Sequence, residues 1–286
     1  MEAVSNQAAI ALDEAPKSAI SDRMSSLADS LKSSLASLGF AALGMLTLVG
    51  IWWLVSIVTK NEIPTPAATW EVFKTLLEDP FYDAGPNDKG IGLQLWSSIV
   101  RVFTGFGLGS LVAIPLGLLL GANDFCRKVF YPIIQILKPV SPLAWFPIGL
   151  MSFQSAEKAT IFIIFITSLW PTLINTAFGV ASLPQDHKNV AKVFGFSTWQ
   201  YITKILLPFS LPHIITGLRL SIGVAWLVIV AGEMLSGGVG IGFFVWDSWN
   251  ALSLEKVISA ILIIGIVGLL LDRVFTAIEN KVSYAK

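Results

Sequence analysis

The sequence predicts an all-α protein that crosses a membrane about six times, and two observations carry that expectation. Of its 286 residues, 54% are hydrophobic and 13% charged, against roughly 45–50% and about 25% in a soluble domain, and mean hydropathy is +0.73. The apolar residues are gathered into runs of about 20, the length a helix needs to cross hydrocarbon. The formal net charge is zero, so bulk attraction to nucleic acid is not implied. Cys126 stands alone, which excludes an internal disulfide, and with only His187 and His213 beside it no metal site is expected.

One membrane domain is expected over 38–280, between a tail at 1–37 and a tail at 281–286. In the first tail Ile20, Met24, Leu27, Leu31 and Leu35 recur at helical spacing, which fits an amphipathic helix on the membrane surface or an exposed disordered tail. The first apolar run starts near Leu38, deep for a secretory signal. Spans are expected at about 39–59, 96–121, 130–153, 159–180, 213–235 and 256–276, with a short helix in 64–77. The second carries Arg101 and a Gly105-xxx-Gly109 pair, small residues that let helices approach. The third is broken by Lys138-Pro139-Val140-Ser141-Pro142, and irregular backbone at this depth needs protein or a watery cavity around it.

The segment 182–212 is a polar island between the fourth and fifth runs. Gly195 interrupts helix-forming residues around Val190 and Ala191 and is free to take positive φ. Ser197 with Gln200 makes a capping-box pattern, and the second short helix is expected to end near Leu207, before Pro208. Six spans place both termini on one side. If that side is cytoplasmic, it holds eleven Lys and Arg outside the spans against five opposite. That bias puts 182–212 in the cytoplasm.

Ionisable residues inside spans are costly and mark bundle interiors or aqueous paths. Arg101, Lys138, Arg219 and Glu233 are such residues. On an ideal helix Arg219, Gly223, Trp226, Val230 and Glu233 share one face, a candidate lining for a pathway. Each has a plainer reading beside it. Arg101 is near enough to a span end to snorkel, Glu233 can cap or pair structurally, and Arg219 can support the inner loop. Lys138 beside broken backbone suits an anionic substrate; Trp145 either lines the same cavity or packs. No phosphate-binding Gly-x-x-x-x-Gly-Lys-Ser/Thr and no His-Glu-x-x-His is present, so neither ATP binding by this chain nor a zinc peptidase is expected. Trp199 occupies the second glycine position of a nucleophile elbow begun by Gly195-Phe196-Ser197.

The spacing in 189–208 resembles the EAA loop of the inner-membrane permeases of binding-protein-dependent ABC importers: Ala191, Gly195, Ile205, Leu207 and Pro208 match, and Asn189 and Val190 replace the family's Glu and Ala. Ile63, Pro64 and Pro66 resemble the entry after the first span in sulfonate, taurine and nitrate permeases. Segments 97–122, 207–226 and 231–235 look like the nitrate/sulfonate/bicarbonate branch, and 138–148, 168–180 and 237–250 like cyanobacterial-type nitrate and bicarbonate permeases. The resemblance implies a type I importer fold in the inner membrane and a dimer of permeases. Two partner ATPase subunits would bind ATP and Mg, and an outer substrate-binding protein would deliver the cargo. Nitrate, with nitrite, is the implied cargo and bicarbonate the alternative. An ion-coupled secondary transporter would need a coupling carboxylate, for which Glu233 is the deep candidate, and internal repeats, of which none is evident.

Overall fold

The computed structural model describes residues 39–282, together with Lys32 and Ala36; the N-terminal amphipathic pattern falls outside these residues. Among the described residues the regular elements are all helices, with a single isolated bridge between Asp83 and Lys89 in a loop. The chain divides into two units, Met1–Ala67 and Ala68–Lys286.

In the first unit, α1 (Gly39–Val58) is 20 residues of mean hydropathy 2.1. It ends in a tight turn in which Lys60 and Asn61 take φ of 52° and 66°. Asn61 N donates to Ser56 O at 2.8 Å, and Trp52 Nε1 donates to Pro64 O at 3.0 Å, folding the chain back along the helix end. α2 (Pro66–Glu78) then starts on a proline, whose missing N–H costs nothing in a first turn.

The second unit is built on α3 (Ile91–Ala122), α6 (Ala156–Ala181) and α9 (Leu207–Ser236), with α11 (Leu254–Val282) packed on α9. α3 meets α6 along the small residues expected to permit it. A Cβ on Gly105 would lie 2.7 Å from the Ile164 side chain, and one on Gly109 would lie 2.3 Å from Ser168 Oγ. α6 meets α9 through a buried hydroxyl pair, Thr172 Oγ1 and Ser221 Oγ at 2.7 Å, and Ser221 donates on to Ser168 O at 2.6 Å. Val102, Ile164, Ile222, Ile229, Ile241 and Ala260 form the core these helices enclose. The short α10 (Ile241–Asn250) sits between α9 and α11.

The expected third span is two helices. α4 (Asp124–Leu137) and the 3₁₀ turn Pro142–Trp145 with α5 (Phe146–Phe153) meet at a bend of 95°. Pro139 and Pro142 explain the break, because neither can donate to a continuing helix. Asn123 caps α4, accepting from Phe125 N and Cys126 N. Among the described residues five helices are long and apolar enough to cross a membrane, and six if the bent pair counts as one.

One expectation fails. Pro208 does not end a helix: Thr198–Ser236 runs unbroken for 39 residues, through α8 (Thr198–Tyr201), a π-turn at Ile202–Leu206 and α9. Leu207 N donates to Ile202 O, five residues back. The wide turn moves the carbonyl that the Pro208 ring would strike and asks for no proline N–H. At 1.5 Å per residue the helix is about 58 Å long, well beyond the roughly 30 Å of bilayer hydrocarbon.

Candidate coupling segment and ionisable sites

The coupling candidates sit on a helical hairpin. α7 (Gln185–Val193) carries Asn189, Val190 and Ala191. Gly195 follows at φ +62°, with open space where a Cβ would stand. Phe196 N donates back to Ala191 O at 3.0 Å. The capping box is complete: Gln200 N donates to Ser197 Oγ at 3.3 Å, and Ser197 N to Gln200 Oε1 at 2.9 Å. Ala191 is buried, while Asn189 is exposed and accepts from Gln185 Nε2 at 3.4 Å. Ile205 packs with Leu206 on Val180 of α6 and on Leu183 just after it, whereas Leu207 and Pro208 are exposed. Val193, Phe194 and Trp199 present bare apolar surface, each more than 70% exposed.

Arg101 and Glu233 come together. Glu233 has no exposed surface, and its carboxylate accepts from Arg101 Nη1 at 2.8 Å, from Ser98 Oγ at 2.8 Å and from Gly242 N at 2.9 Å. Arg101 also donates to Val239 O at 2.6 Å. Gln94 Oε1 accepts from Gly240 N at 2.6 Å and Ser98 Oγ from Ile241 N at 2.8 Å. Three side chains, Gln94, Ser98 and Glu233, thus cap the first N–H groups of α10, and the anion sits where a helix dipole favours negative charge. The glycines permit the approach: a Cβ on Gly240 would stand 2.3 Å from the Glu233 carboxyl carbon, and one on Gly242 2.2 Å from Val230 O.

Arg219 is held differently. Its Nε and Nη2 make a two-pronged bond to Asp272 at 2.8 and 3.2 Å, and Nη1 donates to Glu279 Oε2 at 3.0 Å. Thr216 donates to the same Glu279. The cluster ties α9 to α11. Trp226 is a core residue, 4% exposed, with Nε1 donating to Ile264 O at 3.0 Å. Gly223, on the same sequence face, opens to the outside of the chain. Lys138 lies at the end of α4, exposed and without a carboxylate within 4.0 Å among the described residues. Trp145 packs beside Phe146 and Ile163, yet its buried Nε1 has no hydrogen-bond partner among the described residues. Among those residues no group of three His, Cys, Asp or Glu could hold a metal.

Sequence reasoning missed Gln94, Ser98, Asp272 and Glu279. The signal was present: Gln94, Ser98 and Arg101, and likewise Asp272 and Glu279, fall at spacings that put polar groups on one face of an apolar helix.

Continuous apolar helices long enough to span a membrane, one bent pair and a capped polar hairpin between two of the spans are the features of a polytopic membrane protein. Its family follows from sequence. The pattern of the family described as binding-protein-dependent transport system inner membrane component matches residues 113–284, and the chain belongs to it. It is 44% identical over 241 residues, 84% of this chain and 88% of the other, to the nitrate import permease protein NrtB of Synechocystis sp.. It is 45% identical over 243 residues, 84% and 87%, to the bicarbonate transport system permease protein CmpB of the same organism. The fold matches an inward-facing MetNI methionine ABC transporter with a TM-score of 0.60 at 15% identity, over 66% of this chain and 94% of the other.

Proposed function

We propose that this chain is the membrane subunit of an ATP-driven importer for a small inorganic anion, nitrate or nitrite. The observation that carries the reading is the near full-length similarity to nitrate import permeases. Bicarbonate is the second reading, on a match of the same strength. Partner ATPases bind ATP and Mg. They seat the exposed Val193, Phe194 and Trp199 around the 191–208 hairpin, on the cytoplasmic side that the Lys and Arg distribution favours. A second permease copy and an outer binding protein complete the complex, and both termini are cytoplasmic.

The anion contact is assigned to Lys138 and Trp145. Arg101 and Arg219 are neutralised by carboxylates of the same chain, so Lys138 is the cation of the three left with charge to offer. The bare indole N–H of Trp145 supports the same assignment, because a buried donor without an acceptor costs about 1–3 kcal/mol. Arg101, Glu233, Arg219 and Trp226 hold the helices around that path.

The test is uptake of labelled nitrate and bicarbonate into vesicles holding the permease, its ATPases and its binding protein. ATP-dependent nitrate uptake, competed weakly by bicarbonate, is expected. Uptake by the permease alone on an ion gradient refutes the importer reading, and bicarbonate uptake without nitrate uptake selects the second.

A further inference from the structure

α4 leaves an unusual groove on one flank. It touches the body along a narrow stripe centred on Ile134, packed with Ala113, Leu120 and Leu173. On one side an apolar cavity of about 340 Å³ has no charged residue in its wall. On the other side, between α4 and α6, the cavity is about 470 Å³ and equally apolar along Leu173, Ala177 and Phe178, but Arg127, Lys128 and Tyr131 line it too.

The cations mark a level in the membrane. They lie in the first turns of α4, just after α3 ends at Ala122 and beside the end of α6 at Ala181. From Ala181 to Leu173 is about 12 Å of helix, close to the roughly 15 Å of one leaflet's hydrocarbon. Lys128 has no carboxylate within 4.0 Å among the described residues, while Arg127 shares Asp124 at 2.6 Å. The Tyr131 hydroxyl accepts from Gln135 Nε2 at 3.1 Å and keeps its own proton for another acceptor.

A greasy wall ending in two cations and a phenol donor has the same division as an anionic phospholipid. Basic pockets between spans at this level bind such headgroups. We propose that the groove between α4 and α6 holds a phospholipid with an anionic headgroup, its phosphate on Lys128, Arg127 and Tyr131 and one acyl chain along Ala177 towards Leu173. A second copy of the chain would have to bring an apolar ridge that ends in acid.

The assembled complex in mild detergent, given phosphatidylglycerol or phosphatidylcholine of equal chain length, tests this by native mass spectrometry. Phosphatidylglycerol should be retained at least about five-fold better, and Lys128→Gln should lower its retention about five-fold, the effect of one cation near a membrane surface. Ala177→Trp, which fills the groove, should abolish the extra retention. If that variant fails to assemble, the exposed Lys128→Gln carries the test alone. Equal retention of the two lipids, or retention indifferent to these variants, overturns the proposal. So does displacement of the lipid by millimolar inorganic phosphate, or a cross-link from Ala177→Cys to a second copy.

Discussion

Replacing Glu233 by Gln removes one charge at almost constant shape. Its two oxygens accept from Arg101, Ser98 and Gly242 N, so an amide NH₂ in place of either oxygen faces a donor. Arg101, whose side chain is 15% exposed, keeps its bond to Val239 O, and Glu157 at 4.0 Å as its carboxylate neighbour. Breaking a buried pair from one side costs about 3–5 kcal/mol, and the partial opening around Arg101 places this case near the lower end. For a chain of this size about 3 kcal/mol lowers Tm by about 6–12 °C. Arg101→Met should cost as much, because it strands the carboxylate, and the double variant Arg101→Met with Glu233→Leu should recover part of the loss. Thermal unfolding of the detergent-solubilised protein reads all three. Strict additivity of the two single effects, or a loss under about 1 °C for each, refutes a coupled pair.

Three further outcomes follow from other sites. Gly195→Ala places a Cβ at φ +62°, a strain of about 1–2 kcal/mol; it should weaken uptake, while Ala191→Trp at a buried position of the same hairpin should abolish it with ATP hydrolysis retained. Uptake unchanged in both argues against a coupling role. Lys138→Ala and Trp145→Phe should each raise the KM for anion transport with the complex still assembled, and unchanged kinetics make both residues structural. In the 82–89 loop the Lys89 hydrogen bond holds the Asp83 carboxyl below its ordinary value. The loop contact is therefore complete above the unfolded-state carboxylate value and is lost as pH falls through the lowered one. A carboxylate NMR titration should show Lys89→Met moving Asp83 back up.

The spans, the hairpin caps and Gly195 were legible because each is written within a few residues: an apolar run, Ser197 with Gln200, a glycine at a turn. The partners of the charges within the spans were not. Glu233 is 132 residues from Arg101, and Arg219 is 53 and 60 residues from Asp272 and Glu279, so one helix face alone suggests a lined path where the fold supplies a partner. The break at Lys138–Pro142 is legible as irregular backbone, while the 95° bend and the packing of Phe146 with Ala159 and Ile163 beyond it involve residues distant in sequence, which no local pattern encodes.

Pro208 is not a stop signal, and the reason bears on the proposed transmission of motion through the hairpin. Beyond Arg219 the long helix contains no proline and is bound to α11 through Asp272 and to α3 and α10 through Glu233. Before it lie Pro212, Pro208 and the π-turn Ile202–Leu206. The deformable part is thus confined to the hairpin end. Pro208→Ala restores an N–H and removes the ring, so nothing then opposes an ordinary α register. Relaxing one π-turn rotates Trp199 and Gln200 by about 100° relative to the outer helix, turning the exposed indole away from the proposed ATPase-facing side. ATP hydrolysis should persist and uptake should fall. Uptake at the native rate, with the π-turn shown lost by structure determination, refutes the idea that the wide turn sets the register of coupling.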